Sequence, residues 1–336
     1  MNTLTLFLST IQLRSYVFLF LAAFLICAGN LIGWRRAGLF FGITSISAFV
    51  CELSSTRTGF PFGWYHYTGS TVGRELYLSN VPVMDPLSFS FLLYASYSLA
   101  LSFLLPTPVK TSSNVTPSSS AGLLALTFSR SVRSGWPALL LSTLFFVLID
   151  IVIDPVAVRG DQWFLGKIYY YPDPGLHFGV PAANYLGWAL VGVVALSFYC
   201  LLDRLLPELQ GRTHESVTGK ILMGCGLYYA VLFFNLTIAF WIDEPLIGMT
   251  GILMYFPLTA LLFLRLRGHL PTATASLMPG PGEIEQRDSF ARSKNNNAAV
   301  FGLAHGFGRI QGIYVIANRS RIPQHRNREL QEKTKR

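Results

Sequence analysis

Two aspartates, Asp150 and Asp154, lie four residues apart at the end of a long apolar run, in the segment LIDIVIDPVA. On a helix this spacing puts both carboxyl groups on one face, about 6 Å apart along the axis. An ionised carboxylate in hydrocarbon costs roughly 2.5 to 3.5 kcal/mol on insertion scales, so such a group faces the bundle interior, finds a partner or keeps its proton. The pair is therefore a candidate for proton transfer, or for binding a magnesium-bridged diphosphate.

Other carboxyl groups lie at the ends of further apolar runs. These are Glu52, Asp85, Asp243 and Glu244. Asp85 directly precedes a proline, which is also an ordinary way to start a helix. A purely structural alternative stays open for the aspartate pair, since Asp150 can hold the bundle together by pairing with an arginine, and Asp154, before a proline, can end a helix. The candidate arginines are Arg57, Arg74 and Arg159.

The elements that position these groups are apolar runs near the bilayer-spanning length of ~20 residues. Such runs occur at residues 16–32, 38–53, 83–105, 137–153, 179–202, 221–242 and 245–264. The composition agrees, since 51% of the residues are hydrophobic and only 13% are charged, which is little charge for a soluble globule of this size. We predict an all-α, polytopic membrane helix bundle of about seven transmembrane helices, with the first run retained rather than removed as a signal.

The predicted transmembrane domain covers residues 1–265. Its segment 106–135 begins like a linker and contains an apolar stretch too short to span a bilayer, so it is a linker or a re-entrant insert. Residues 266–336 are polar and carry most of the formal net charge of +9. We expect a mostly disordered basic tail that is attracted to anionic lipid headgroups. No base-reading motif accompanies the charge, so nucleic acid is not an expected partner.

Seven spans would place successive connectors on alternating faces of the membrane. Lys and Arg are more numerous on the face that holds the tail, so we predict a cytoplasmic C-terminus. The connectors 58–86 and 154–188 then share the opposite face. The carboxyl groups named above fall on that non-cytoplasmic face as well, and we expect no comparable acidic group at the other end.

These two connectors are rich in aromatic residues that alternate with glycines. An interfacial belt accounts for part of the pattern, but the mixture also suits folded loops that line a long apolar ligand. The candidate substrate-binding residues are Trp64, Tyr65, Tyr67, Trp163 and Trp188. A further candidate, Asn184, can hydrogen-bond a substrate, a carboxylate or another helix.

Metal chemistry finds little support in the sequence. The six histidines are scattered without metal-ligand spacing, and the four cysteines all fall in apolar runs. We therefore expect no metal site and no iron-dependent desaturase or hydroxylase. Two rivals stay open: a membrane prenyltransferase that acts on isoprenoid substrates through the aspartate pair, and a non-enzymatic proton-coupled transporter or lipid-binding protein, for which intramembrane carboxylates are also expected.

Three segments together carry a resemblance to a known family. They are FPFGWYHYTGSTVGRELYLSNVPVMDPLSF at 60–89, LIDIVIDPVA at 148–157 and GVPAANYLGW at 179–188. In this order on a seven-span chain, they resemble the integral-membrane carotenoid hydratases of the CruF type, which include the bisanhydrobacterioruberin hydratases. The resemblance covers roughly residues 15–265, while the insert at 106–133 and the polar tail depart from it.

The resemblance implies addition of water across a terminal C=C bond of an acyclic carotenoid end group, which leaves a tertiary alcohol and needs no cofactor. The expected partners are a lycopene-like, γ-carotene or longer acyclic polyene, membrane lipids and other carotenoid enzymes. Protonation of the alkene requires a water-protected acid, and a base must then deprotonate the attacking water. We hypothesise that one of Asp150 and Asp154 is the acid, while the other, or Asp85, holds the water, and that Trp64, Tyr65 and Trp163 stabilise the cation.

Overall fold

The computed structural model describes residues 2–105, 128–209 and 214–267. Nine helices lie within these ranges: α1 (Thr3–Leu13), α2 (Ser15–Ile32), α3 (Trp34–Thr58), α4 (Met84–Leu104), α5 (Arg130–Arg133), α6 (Trp136–Ala157), α7 (Ala182–Asp203), α8 (His214–Trp241) and α9 (Pro245–Leu266). In the described part of the chain, seven helices are long and apolar enough to cross a membrane. The predicted all-α bundle of about seven spans is confirmed, and the protein is an integral membrane protein.

Two of the sequence predictions on organisation fall largely outside the described residues. Most of the 106–135 insert lies there, and α5 belongs to its described end. The predicted disordered tail is outside as well, apart from its first two residues. The division at residue 265 and the cytoplasmic C-terminus therefore stay predictions.

The fourth helix lies at the centre of the bundle. Its most apolar window is 78% buried, against 28% in α3, and it contacts α2, α3, α6 and α8. Small residues let neighbouring helices approach closely: a side chain at Gly224 on α8 would come within 2.1 Å of Ser98 Oγ on α4. The outer helices instead expose large apolar side chains such as Phe233, Leu253 and Phe256, which suits contact with lipid.

The two long connectors fold against the same end of the bundle. A short antiparallel pair joins them, with β1 (His66–Tyr67) beside β4 (Tyr169–Tyr170) and Tyr67 opposite Tyr169. A second pair, β2 (Tyr77–Leu78) and β3 (Val81–Pro82), lies within the first connector. Gly59, with φ at 77°, ends α3 in the left-handed conformation and turns the chain back over the bundle. The pairing brings the tyrosines of both connectors over α3, α4 and α6.

Asp154 lies in the last turn of α6 rather than at its end. The helix continues through Pro155 to Ala157, and the Val158 N–H donates to the Asp154 carbonyl oxygen at 2.9 Å. Pro155 removes one amide donor from the helix ladder, yet α6 continues for two more residues. The Asp154 side chain is thus held on a helix, one turn beyond Asp150.

The other end of the bundle holds an acidic group that the sequence analysis did not expect. Asp203, the last residue of α7, is fully buried and accepts hydrogen bonds from Arg36 Nε at 2.5 Å and Arg133 Nη2 at 3.1 Å. Glu208 adds a bond from Arg133 Nη1 at 2.7 Å. We call this group the ion-pair cluster; its members are Arg36, Arg130, Arg133, Asp203 and Glu208. The expectation of no comparable acidic group there was wrong, because Asp203 falls one residue beyond the apolar run.

Candidate active site

Four carboxyl groups meet under the connectors, and we call them the carboxyl cluster: Glu52 near the end of α3, Asp85 in the first turn of α4, and Asp150 and Asp154 in the last turns of α6. Asp150 is 0% exposed, Glu52 2% and Asp154 8%, while Asp85 is half-buried. None of the ion pairs in the described part of the chain includes a member of this cluster. The cluster is therefore buried without a neutralising cation among the described residues.

None of the three candidate arginines forms an ion pair with Asp150 among the described residues. Arg159 pairs with Glu244 at 2.5 Å, and Arg57 donates to the Ser79 hydroxyl at 3.0 Å. Asp150 Oδ2 instead accepts a hydrogen bond from the Asn184 amide at 2.7 Å. Glu244 is thus neutralised by an arginine outside the cluster, although the sequence grouped it with the other acidic residues.

Asp154 is surrounded by neutral hydrogen-bond donors. Its Oδ1 accepts from Tyr169 Oη at 3.0 Å, and its Oδ2 accepts from Tyr171 Oη at 3.2 Å and from Asn184 Nδ2 at 2.6 Å. Burial raises the pKa of both tyrosines well above the usual value, so they keep their protons and donate. Three donors stabilise a carboxylate, and they offset part of the cost of burying Asp154.

Asn184 connects the two aspartates of α6. Its Nδ2 group donates to Asp150 Oδ2 and Asp154 Oδ2 at once. Asp150 Oδ1, in contrast, is buried and bonds to none of the described side chains. A buried carboxyl group with so few donors favours its neutral form. The same amide thus bonds to one carboxyl group that has three hydrogen-bond donors, Asp154, and to one that has far fewer, Asp150.

Asp85 and Glu52 share a single phenol. Tyr67 Oη lies 2.6 Å from Asp85 Oδ2 and 3.3 Å from Glu52 Oε2. Tyr67 comes from the first connector and is positioned by its strand pairing with Tyr169. Burial raises the pKa of Tyr67 well above its usual value, so the phenol is a hydrogen-bond donor at neutral pH.

Two cavities of different chemistry meet at the carboxyl cluster. The larger, of about 100 Å³, has mostly apolar walls from α2, α4, α6, α7, α8 and the second connector; among its lining residues are Tyr16, Phe20, Phe91, Trp163 and Phe234. The smaller, of about 40 Å³, is lined by carboxyl, phenol and amide groups with a few rings; among its lining residues are Glu52, Tyr65, Tyr67, Tyr171 and Asn184. Both are lined by Asp85, Asp154, Tyr169 and Trp188.

The structure places most of the sequence-predicted residues at these cavities. Trp163 lines the larger cavity, Tyr65, Tyr67 and Asn184 line the smaller one, and Trp188 lines both while stacking on Phe89 with ring centroids 4.3 Å apart. Trp64 is 51% exposed and lines neither cavity; its ring lies beside His66. Asp150 also lines neither, because it lies behind Asn184.

Sequence reasoning did not single out Tyr169, Tyr171 or Glu52 as site residues. The Tyr-x-Tyr spacing was a usable signal, because residues two apart on an extended strand face the same side. Glu52 is the sole carboxyl residue in α3, which also could have marked it. Phe234 was missed too, although the polar residue Asn235 directly after it in α8 also lines the larger cavity. Among the residues that the structure describes, no three His, Cys, Asp or Glu side chains are placed to hold a metal ion.

Fold and site together define a polytopic membrane protein with a carboxyl-lined apolar cavity at one end of its bundle. The chain belongs to a family of carotenoid biosynthesis proteins, whose family model matches residues 12–257. This range includes the whole carboxyl cluster, and the family resemblance of the sequence analysis is confirmed.

A curated relative is the bisanhydrobacterioruberin hydratase of Haloarcula japonica, 36% identical over 166 residues. The aligned part covers 49% of this chain and 45% of the relative, so the chain matches a little under half of the relative's length. No solved structure matches the chain significantly.

Proposed function

We propose that the protein is a carotenoid hydratase, which adds water across a terminal C=C bond of an acyclic carotenoid end group and leaves a tertiary alcohol. The observation that carries the proposal is the meeting of an apolar and a polar cavity at Asp85 and Asp154, two carboxyl groups that no described arginine neutralises. The name of the Haloarcula relative supports the same activity. Because adding water is redox-neutral, the reaction requires no redox cofactor.

The larger cavity suits the end of a polyene rather than the whole molecule. At about 100 Å³, it is small beside the ~300–1,000 Å³ of sites that enclose a drug-sized ligand. The remainder of the polyene would leave the bundle past the rings of Tyr16, Phe20 and Phe234, which line the cavity from α2 and α8. A rod-like apolar substrate can thus remain in the lipid while its end group reaches the carboxyl cluster.

The hydrogen bonds suggest how the roles divide. Asp154, with three neutral donors, is stabilised as the carboxylate and serves as the base that deprotonates the attacking water. Asp85, with only the Tyr67 phenol, serves as the acid that protonates the alkene. Asp150 acts through Asn184 by fixing the position of Asp154. This assignment moves the acid from the aspartate pair to Asp85, because Asp150 lines neither cavity.

Protonation of the alkene produces a tertiary carbocation inside the larger cavity. The faces of aromatic rings stabilise a desolvated cation by about 2 kcal/mol or more, and Trp163, Trp188 and Tyr169 line the cavity. The apolar walls keep other water away from the cation until the held water attacks. The tertiary alcohol then leaves towards the lipid.

Expression in a bacterium that accumulates lycopene and γ-carotene tests the proposal. Pigments are separated by chromatography and weighed by mass spectrometry, with parallel cultures in heavy-oxygen water. We expect a product heavier by one water whose oxygen comes from solvent, and no such product from the Asp154→Asn variant. A product oxygen derived from molecular oxygen, or unchanged pigments with these and longer acyclic carotenoids, would contradict it.

A further inference from the structure

Glu52 is a buried carboxyl group that the proposed chemistry has not yet used. It lines the smaller cavity and is excluded from the larger one, so it does not meet the substrate. Its Oε1 is buried and accepts no hydrogen bond from the described side chains, while its Oε2 lies 3.3 Å from Tyr67 Oη. An ionised carboxylate at such a place would be costly, which favours a Glu52 that carries a proton.

The contacts of Tyr67 have the order expected of a proton wire. A phenol has one proton to donate, and the shorter contact, 2.6 Å to Asp85, takes it. The longer contact is then satisfied when Glu52 donates its own proton to the Tyr67 oxygen. The result is a directed chain from Glu52 through Tyr67 to Asp85.

Hydration creates a demand for such a chain. The reaction consumes one water and no net proton, yet in each turnover the acid Asp85 loses a proton and the base Asp154 gains one. A proton must therefore return from Asp154 to Asp85 before the next turnover. Both residues line the smaller cavity together with Glu52. Its volume of about 40 Å³ exceeds the ~10–15 Å³ that a single water requires.

We propose, on the basis of the proposed hydratase function, that Glu52 and Tyr67 form the path by which the proton returns to Asp85. Asp154 releases the proton taken from the attacking water to water in the smaller cavity, and this water protonates ionised Glu52. Glu52 had already passed its own proton to the Tyr67 oxygen, while Tyr67 passed its proton to Asp85. All three groups are thereby restored, and Glu52 and Tyr67 act as relay residues rather than as groups that touch the polyene.

The test separates the first turnover from later ones in purified protein reconstituted into liposomes. With protein in excess over polyene, Glu52→Gln should form product within about twofold of the wild-type rate, since Asp85 is already protonated. With polyene in excess, we expect the steady-state rate to fall roughly tenfold or more. Glu52→Asp should recover part of the steady-state rate.

Two variants from the same connector are matched controls. Tyr77→Phe removes a phenol that bonds to Thr71 at 2.7 Å and lines neither cavity. Glu75→Gln removes a buried carboxylate that is paired with Arg14 at 2.9 Å. Loss of stability in a control should change both phases by the same factor. If Glu52→Gln also changes both phases equally, or changes neither, the relay is refuted while the hydratase stands.

An infrared measurement tests the relay without activity. The difference spectrum of wild type minus Glu52→Gln should contain the C=O band of a protonated carboxyl group, and Tyr67→Phe should shift that band. If the wild type hydrates none of the polyenes, the proposed function fails, and this band still decides whether Glu52 holds a proton against Tyr67. Absence of the band means an ionised Glu52 and overturns the relay.

Discussion

Both ends of the bundle bury carboxyl groups, but their partners differ in charge. In the ion-pair cluster, Asp203 accepts from the guanidinium groups of Arg36 and Arg133. In the carboxyl cluster, about 30 Å away along α7, Asp154 accepts from two phenols and an amide. A guanidinium fixes its partner as a carboxylate, whereas neutral donors allow a proton to come and go. The first arrangement suits stability and the second suits proton transfer.

The largest expected effect comes from matched aspartate-to-asparagine changes at the two ends. Asp154→Asn should lower the rate of hydration by ~10²-fold or more. The amount of protein inserted in the membrane and the thermal unfolding temperature in detergent should stay close to those of the wild type. Asp203→Asn should leave the buried Arg36 guanidinium without its carboxylate and Arg133 with only Glu208, and should cost about 3 to 5 kcal/mol of stability. Its turnover per folded molecule should persist. The comparison would be contradicted if Asp154→Asn lost stability, or if Asp203→Asn lost hydration activity per folded molecule.

The next prediction concerns the two other aspartates of the carboxyl cluster. Asp85→Asn should reduce hydration as strongly as Asp154→Asn, because both carboxyl groups line both cavities. Asp150→Asn should reduce it only about tenfold, since Asp150 acts by positioning, and a hydrogen bond between neutral groups is worth about 0.5 to 1.5 kcal/mol. Hydration rates of the two variants on the same polyene test this assignment of roles. A larger loss for Asp150→Asn than for Asp85→Asn would mean that the acid is one of the two aspartates of α6.

A smaller effect is expected for Tyr171→Phe. The change removes one of the three donors to Asp154, at 3.2 Å, and should lower the steady-state rate several-fold with unchanged substrate affinity. Tyr228→Phe is a matched control, since its buried phenol bonds to the Phe145 carbonyl at 2.8 Å and lines neither cavity. Equal rates for the two variants would show that donors to Asp154 do not matter.

The smallest effect is expected at Glu208, the exposed edge of the ion-pair cluster. The hydrogen bond from Arg133 lowers the pKa of Glu208 below its usual value. A lowered pKa in the folded state contributes stability above the unfolded value of 4.5 and loses it as the pH falls below that value. Because the side chain is 41% exposed, Glu208→Gln should cost less than about 1 kcal/mol near neutral pH. Thermal unfolding of Glu208→Gln and of the wild type, measured from neutral pH to below 4.5, gives the difference in stability. The rate of hydration should not change.

Sequence patterns were sufficient for the spans because each depends on local composition. The helices begin and end within a few residues of most predicted runs. The largest difference at one end is in α8, which begins at His214 rather than at residue 221. The i, i+4 spacing likewise placed Asp150 and Asp154 correctly on one helix face. Three segments in order were enough to indicate the family.

Partnerships across the fold could not be predicted in the same way. Which phenol reaches Asp154 depends on how two connectors pair above the bundle, and the β1–β4 register sets this. Trp64 is an aromatic residue in a glycine-rich connector and was predicted to bind substrate, yet it is its neighbour Tyr65 that lines the smaller cavity. Asp203 was missed for a simpler reason, because it falls one residue beyond the predicted apolar run. Pairing with Arg36 and Arg133 makes its carboxylate tolerable there.

The most direct test of the central claim is conversion of a polyene in deuterium oxide by the purified protein, followed by magnetic resonance and mass spectrometry of the product. Proton transfer from the carboxyl cluster predicts one non-exchangeable deuterium on the carbon next to the new tertiary alcohol. A hydrated product with oxygen from solvent but no carbon-bound deuterium would contradict alkene protonation by the cluster.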